Sequence, residues 1–597
     1  MTRVTGSSGP SARFDDLVDG VSWLFEQPHR VVVARTTDEV VPALEAVATA
    51  SEQGRWAAGY VAYDAAAAFD PGLVTAATDS AHTDPAGMPL VWFMIGGPPT
   101  DPQSLPTSVA PLAGARQLAW TSAEHGAAVD AVRAAIAAGE TYQCNLTTRL
   151  QVNRTAAPAQ LYAHLATGQR GRYNALLDLG DVSDHAVVSA SPEGFFEWRG
   201  DRLVCEPMKG TIARAPSVAV DRARREQLIS SRKDRAENLM IVDLVRNDLS
   251  RICRPGTVEV SDLFACRRFP TVWQLTSTVS GRLAGDTDLV DVFTALFPSG
   301  SVTGAPKART MELITELEPS PRGVYCGAIG WVAPADRPVR ARFSVAIRTA
   351  VVGRSTGRAT YGVGGGITWG STPAGEWEEV LAKTAVWDHR PTDWDLLETM
   401  GARDGVVVDL NRHLARLAAS ADHFDRPVDL TQLRERLADV RPWPRARVRV
   451  QLGPTGGFTI KSTVAPDPDT APVRLVVDGL PVDPDSPWLH HKTTNRQLYE
   501  DARTRHRIGD GGADDVVLVN DHGHVTETTI ANLVVRVGDS WFTPPTSDGC
   551  LPGIRRGRLL GEGRLEERSI TVAELRAADE VAVINSLRGW RKAVLID

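Results

Sequence analysis

The sequence predicts an α+β protein made of two domains in tandem. Three observations carry this reading. At 597 residues the chain is too long for one hydrophobic core, and roughly two to four domains are expected at that length. Short β-rich runs alternate with helical stretches along the whole chain. The pattern then restarts as strand, turn and helix after Trp387-Asp388-His389-Arg390-Pro391.

Composition narrows the class. Hydrophobic residues make up 43% and charged residues 23%, as in ordinary soluble globular proteins. The net charge of −8 and scattered arginines argue against nucleic acid as a partner. The six cysteines form no C-x-x-C pair and read as buried thiols of a reducing cytoplasm. The opening MTRVTGSSGPSAR has no apolar targeting core, and no segment approaches about 18 consecutive apolar residues. The expectation is a cytoplasmic protein without a membrane span, with residues 1–12 as a disordered tail.

Residues 13–115 read as scaffold. Strand-like runs (Val31–Ala34, Gly59–Tyr63) flank an Ala-rich helix around 38–51, and Pro/Thr/Asp-rich loops lie at 80–89 and 97–109. From Ser122 the pattern is helical and ends at Gly139. β-rich runs at Asn174–Leu179 and Ala186–Ala190 lead to Ser191-Pro192-Glu193. A hairpin, Phe195–Trp198 and Leu203–Cys205 about a turn at Gly200-Asp201, then returns the chain towards Glu206-Pro207-Met208-Lys209-Gly210-Thr211-Ile212. Such a return lets Glu193 and Lys209 face one cavity. Pro207 and Gly210 stiffen and turn the backbone around Lys209, and desolvation there would free its lone pair. On these seven residues alone an ordinary strand-end lysine reaching solvent is the better account.

Residues 221–251 read as one long helix or two in succession. Glu237 shares a face with Ile241, Leu244 and Asp248, and a carboxylate on such a face needs a metal or a basic partner. Phe297–Lys307 reads as a Ser/Gly/Pro-rich loop before a helix at Ala308–Leu317. Arg342–Ala350 reads as a strand with Arg348 inside it. A glycine-rich loop (Gly362–Gly366) follows, and then a helix over Ala374–Trp387 carrying Glu379 and Lys383 at i, i+4.

No one of these features decides the function, but their order does. Glu140–Leu146, Ser191–Glu193, Pro207–Thr211, Arg235–Leu244, Gly304–Lys307, Gly364–Ile367 and Glu378-Glu379 with Lys383 together resemble the chorismate-utilising enzymes. The resemblance spans 120–388 strongly and 13–115 weakly, and implies an α/β sandwich over 13–388. Anthranilate synthases place Ala where Lys209 stands. The Pro-x-Lys-Gly-Thr form resembles aminodeoxychorismate synthase component I, which aminates chorismate at C4. The resemblance implies Lys209 as the covalent nucleophile and Glu193 as acid/base group. It implies Glu237 and Glu379 as Mg²⁺ ligands. For the substrate it implies Arg348, Lys383, the backbone at Gly304, Gly365 and Gly366, and Gln274 and Thr276. Gln274 stands where many relatives have His, so positioning rather than proton transfer is expected there.

After a linker at 389–394, residues 395–597 form the second expected domain. A Pro/Asp-rich linker is expected at 464–487. Asn411–Leu417, His491–Arg496, Val525–Leu533 and Cys550–Arg556 resemble the fold-type IV pyridoxal 5′-phosphate (PLP) enzymes. That implies two α+β subdomains, with Lys492 carrying the cofactor and shuttling a proton and Glu527 facing the pyridinium nitrogen. Arg416, Thr528, Thr529, Gly553 and Ile554 would hold the phosphate, although Arg555 stands where relatives often have Thr. Fusion to the first domain points to an aminodeoxychorismate lyase, so that chorismate becomes 4-aminobenzoate and pyruvate. A transaminase, a non-catalytic module or anthranilate synthesis are the alternatives. No stretch resembles a glutamine amidotransferase, so a separate subunit is expected to supply ammonia. Homodimerisation through the second domain is left open.

Overall fold

A computed structural model describes residues 9–76, 87–105, 112, 114–269, 272–388, 394–439, 441, 443–466 and 471–596. The chain divides into two compact units, Met1–Ala213 with Arg225–Pro391 and Arg214–Arg224 with Thr392–Asp597. Assignment of 214–224 to the second unit has no counterpart in the sequence reading. Most of the linker expected at 389–394 lies outside the described residues. So do parts of the loops at 80–89 and 97–109.

The first unit is a four-layer α/β sandwich of two antiparallel sheets. One sheet has nine strands and is centred on Gln143–Val152, Ala359–Ile367, Thr349–Gly353 and His185–Ser191. The other has ten and runs from Met208–Ala213 through Val272–Arg282 and Gly194–Arg199 to Trp56–Val61 and Arg30–Ala34. Their inner faces share one core, with Ala12, Phe25, Leu177 and Val187 from the first and Trp56, Tyr60, Trp92 and Trp331 from the second. Helices Thr37–Glu52, Arg232–Ser250 and Leu289–Leu296 cover the outer face of the ten-stranded sheet through Leu44, Ile241 and Phe293. Pro158–Gln169 and Pro373–Thr384 cover the nine-stranded one through Tyr162, Leu165 and Val380.

Three local expectations change, and one that was left open is decided. The tail expected over 1–12 is too long, because a strand begins at Ser11 and Ala12 is fully buried. Gly362–Gly366 is a strand rather than a loop. A Cβ at Gly362 would lie 2.2 Å from the Tyr325 ring, and one at Gly364 would lie 2.2 Å from the Leu146 carbonyl oxygen, so the glycines answer close packing. Arg348 is not within a strand. It stands between Val339–Val345 and Thr349–Gly353 at φ 52°, where the chain passes from one sheet to the other. The stretch 221–251 is two helices, Val218–Ser230 and Arg232–Ser250, and Ser231 caps the second through the Asp234 amide.

The second unit has two sheets. An antiparallel four-stranded sheet contains Leu396–Arg403, Ala446–Leu452 and Phe458–Val464. One of its faces packs on helices Leu410–His423 and Leu430–Ala438. The eight-stranded sheet closes on itself where Val525–Thr528 pairs with Asn532–Val537. The linker expected at 464–487 is largely structured. Val473–Val477 is a strand lying parallel to both of its neighbours, with Val473 and Leu475 buried in the core. A run of alternating Val and Leu between prolines reads as linker only until its neighbours in the sheet are known. Among the described residues no helix is long and apolar enough to cross a membrane.

Candidate active sites

In the first unit Lys209 stands on a β-bulge. Met208 pairs with Thr276 and Thr211 with Gln274, so one extra residue fits between the two pairs. Gly210 takes φ 89°, which a side chain rarely allows, and a Cβ there would lie 2.8 Å from Asp234 Cβ. The bulge re-aims Lys209, and its Nζ donates to the Ser301 carbonyl at 3.0 Å. Asn238 supports the segment by donating to the Lys209 carbonyl at 3.3 Å, and its own amide oxygen accepts from Ser277 at 2.6 Å.

Glu193 is 4% exposed and close enough to Lys209 for the two charges to couple. Burial pushes its carboxyl up to about 7, against a hydrogen bond from Ser301 and the Lys209 charge. Burial lowers the Lys209 ammonium, opposed by Glu193 and reinforced by Lys383. Relative to water, the site thus favours the acid form of Glu193 and the uncharged form of Lys209.

Gly366 leaves the space beside the amine open. A Cβ there would lie 3.1 Å from Lys209 Nζ and 3.0 Å from Gln143 Nε2. Both polar atoms of the buried Gln143 amide lack a hydrogen-bond partner among the described residues. Sequence reasoning quoted Gln143 within a motif but assigned it no role. The signal was there, since a polar residue begins an otherwise buried strand.

Two carboxylates stand against Gly365. A Cβ at Gly365 would lie 3.1 Å from Glu376 Oε2 and 3.3 Å from Glu379 Oε1. Glu379 is ion-paired with Lys383, which holds it below the usual carboxylate range against burial. Lys383 also donates to the Gly364 carbonyl at 2.7 Å, and Arg348 donates to the Lys383 carbonyl at 2.5 Å. Burial raises Glu237, and Lys233 and Lys209 oppose that rise. Burial also raises Glu376, whose Oε2 has no hydrogen-bond partner among the described residues. Sequence reasoning missed Glu376, although it stands at i, i+3 to Glu379 on one helix face.

Among the described residues no three acidic or metal-binding side chains close on a single point. One or two carboxylates completed by water and a substrate oxygen are a usual Mg²⁺ arrangement, so the donors present fit that ion. Gly304 pairs with Cys144, and a Cβ there would lie 2.0 Å from the Gln143 carbonyl oxygen, which ties its backbone to this rim. Gln274 and Thr276 flank the Lys209 strand. The Thr276 hydroxyl donates to the Ala265 carbonyl and accepts from Arg267.

The second unit holds a cavity of about 330 Å³ lined by Lys492, Glu527, Arg416, Gly553, Ile554 and Tyr499, among others. Burial lowers the Lys492 ammonium to about 8, reinforced by Arg416 and opposed by Glu398. Burial raises Glu527 to about 7. Its carboxylate accepts from Tyr499 at 2.8 Å and from Asn532 at 3.2 Å. Asn532 also donates to the Leu551 carbonyl at 2.8 Å, which ties Glu527 to the turn entering the helix Ile554–Gly561. Gly553 caps that helix, and a Cβ there would lie 1.9 Å from Asn532 Oδ1.

Arg416 is held by Glu398 through two hydrogen bonds, at 2.8 and 2.7 Å, and donates to the Pro552 carbonyl at 3.2 Å. Burial works to raise Glu398, yet Arg416 and His413 pull it down to about 2. Thr528 and Thr529 line the cavity, but their hydroxyls donate to the Ala531 carbonyl at 3.1 Å and to Asp515 at 2.5 Å. Their protons are therefore spent within the protein. An amine, a buried carboxylate and an arginine beside a helix N-terminus fit PLP in a cavity of suitable size.

Residues 23–387 match the family described as chorismate binding enzyme, and residues 395–596 match amino-transferase class IV. Aminodeoxychorismate synthase component 1 of Salmonella typhimurium is 39% identical over 272 residues, covering 46% of this chain and 58% of that protein. Anthranilate synthase component 1 of Streptomyces coelicolor is 42% identical over 264 residues, covering 44% of this chain and 50% of that protein. The chain thus spans about half the length of these curated relatives. The crystal structure of anthranilate synthase component I from Streptococcus pneumoniae TIGR4 aligns with a TM-score of 0.52 at 22% identity, covering 65% of this chain and 94% of that one. At that identity the likeness is one of fold.

Proposed function

Because this chain belongs to the chorismate binding enzymes and ends in a class IV aminotransferase domain, we propose that it makes 4-aminobenzoate from chorismate in two steps. The observation that carries the reading is Lys209, set on a bulge beside a protonatable Glu193. Relatives that act at C2 and at C4 are about equally similar, at 42% and 39% identity, so overall likeness does not choose between them. A buried amine whose uncharged form is favoured suits amination at C4.

In the first step Lys209 Nζ adds at C2 of chorismate. The ring double bonds shift, and the C4 hydroxyl leaves as water with the proton of Glu193. Ammonia then adds at C4, the double bonds shift back, and the C2–nitrogen bond to Lys209 breaks. The balance is chorismate plus ammonia to 4-amino-4-deoxychorismate plus water. Arg348 and Lys383 hold the substrate carboxylates. Glu237 and Glu379, with Glu376 beside Glu379 at Gly365, would hold Mg²⁺, which would neutralise charge at the ring carboxylate. Ammonia comes from a separate glutamine amidotransferase subunit.

In the second step the product meets Lys492. Bound PLP supplies an electron sink at the carbon bearing the amine. Lys492 anchors the cofactor and takes the C4 proton. Glu527 would pair with the cofactor's ring nitrogen, and Arg416 and the Gly553 helix end would hold its phosphate. Loss of the enolpyruvyl group from C3 makes the ring aromatic, and the enol carbon regains a proton from Lys492, giving pyruvate.

Product identification tests the whole. Purified protein supplied with chorismate, ammonium, Mg²⁺ and PLP should give 4-aminobenzoate and pyruvate in equal amounts. 2-Aminobenzoate as the product would overturn the C4 assignment. 4-Amino-4-deoxychorismate that persists with PLP bound would overturn the lyase assignment.

The pH profile has a stated sign. Glu193 acts in its acid form, whose carboxyl sits at about 7. With free ammonia held constant and Lys209 already neutral, the rate of the first step should fall about tenfold per pH unit as Glu193 ionises. Glu193→Gln should flatten that limb and lower the rate at pH 6 by about 10²-fold. A limb that survives in Glu193→Gln would move the acid role to another group.

A further inference from the structure

Beyond the cofactor groups, the second-unit cavity is lined on one side by a face of the four-stranded sheet whose charged residues there, Arg447 and Arg449, are both positive. Thr399 pairs with Arg449 and Gly401 with Arg447 on one side, and Arg449 pairs with Lys461 and Arg447 with Thr463 on the other. Side chains alternate across a strand, so Arg447, Arg449 and Lys461 share one face. The opposite face carries Met400, Val448 and Val450 and is packed into the helical core.

Arg447, Arg449 and Lys461 are exposed. Among the described residues no carboxylate pairs with any of them. Arg447 donates only to the Thr463 hydroxyl, at 3.3 Å. Like charges directly opposite one another across strands cost stability, and the fold leaves the Arg449–Lys461 pair uncompensated. Arg447 and Arg449 line the cavity that holds Lys492, and so does Arg588, on the turn between Glu580–Asn585 and Gly589–Leu595. The two carboxylates that line it are otherwise engaged: Glu527 with Tyr499 and Asn532, and Glu500 with Arg496 at 3.8 Å. One cofactor phosphate already has Arg416 and a helix end available to it. The surplus charge therefore awaits further anionic groups.

We infer that Arg447 and Arg449, with Arg588, are specificity residues that read the carboxylates of a dianionic substrate and disfavour amino acids with a single carboxylate. This rests on the lyase reading, whose substrate carries two carboxylates, one on the ring and one on the enolpyruvyl arm. The charge array also discriminates between readings of the domain, since a transaminase for simple amino acids needs a counter-charge for one carboxylate only.

The test uses full-length protein loaded with PLP. Wild type, Arg447→Leu, Arg449→Leu and the double variant are titrated with 3-(carboxymethoxy)benzoate, a non-reacting dicarboxylate, and with benzoate. Binding is followed by the absorbance of bound PLP and by calorimetry. Wild type should bind the dicarboxylate at least about tenfold more tightly than benzoate, and each single variant should lose roughly tenfold for the dicarboxylate. Affinity for PLP should stay within about twofold. With 4-amino-4-deoxychorismate, KM should rise by the same factor and kcat should hold, as expected when uniform binding is removed.

Equal wild-type binding of the two probes, or unchanged dicarboxylate affinity in the double variant, would overturn the inference. So would a fall in PLP affinity, which would assign these arginines to the phosphate. The binding measurements need no turnover. Protein that binds the dicarboxylate selectively but releases no pyruvate would therefore sink the lyase reading and leave the charge reading standing.

Discussion

Lys209→Ala should abolish amination at C4 while leaving the second site intact. A covalent route loses its nucleophile outright in this variant, and a fall in kcat of about 10³-fold or more is expected. KM for chorismate should change little, because Arg348, Lys383 and the backbone around Gly365 remain in place. The side chain donates to one carbonyl, that of Ser301, so its removal leaves one acceptor unpaired rather than a void in the core. Uptake of PLP by the same preparation serves as the folding control. Lys209→Arg is the second variant. It keeps a cation at the site but no neutral amine, and it should be as inactive as Ala. If either variant retains more than a tenth of the wild-type C4 product, the covalent route fails and Lys209 becomes a binding group. Burial lowers the Lys209 ammonium and Lys383 adds to that effect, while Glu193 opposes it.

Lys492→Ala should stop the pathway one step later. 4-Amino-4-deoxychorismate should accumulate at the wild-type rate of chorismate consumption, and pyruvate release should fall by at least about 10³-fold. Borohydride should fix PLP to the wild-type chain and not to the variant, a readout independent of turnover. The uncharged amine is the form that captures PLP. With its ammonium at about 8, lowered by burial and then by Arg416, the rate of PLP uptake should rise with pH and level off above about 8. Borohydride labelling of Lys492→Ala at wild-type yield would move the anchor to another lysine. Loss of 4-amino-4-deoxychorismate formation in this variant would mean that the two steps are not separable.

Much of both sites was legible because the relevant signals are local. Lys209 lies between a proline and a glycine, and Lys492 lies within His491–Arg496. Glu193, Glu237, Glu379 and Lys383 each sit in short runs whose order along the chain is informative. The errors share a different character. Gly362–Gly366 looks like a loop because five residues containing four glycines carry no strand signal, yet each glycine is there to let Tyr325, Leu146 or an active-site side chain approach. Arg348 looks like a strand residue because Val345-Ala346-Ile347 precedes it, while the chain is in fact crossing between sheets at a positive φ. Thr528 and Thr529 look free to meet a phosphate until Ala531 and Asp515 are found to take their protons.

By itself the sequence determined the inventory of chemistry: two candidate lysines, a set of hard carboxylates, a second domain of another family, and the residue on which the proposal of C4 amination rests. Those depend on residue type and order, which are properties of the chain. The tertiary structure decided which of these groups are activated. Glu193 and Glu527 are raised to about 7, and Lys209 and Lys492 are lowered, chiefly because other parts of the chain remove water from them. It also decided that Glu376 joins Glu379 beside Gly365 and, among the described residues, that Gln143 presents an unpartnered amide next to Lys209 and that Arg447 and Arg449 line a cavity with no free carboxylate to meet them. Desolvation and convergence are sums over residues distant in sequence, and no local pattern records them.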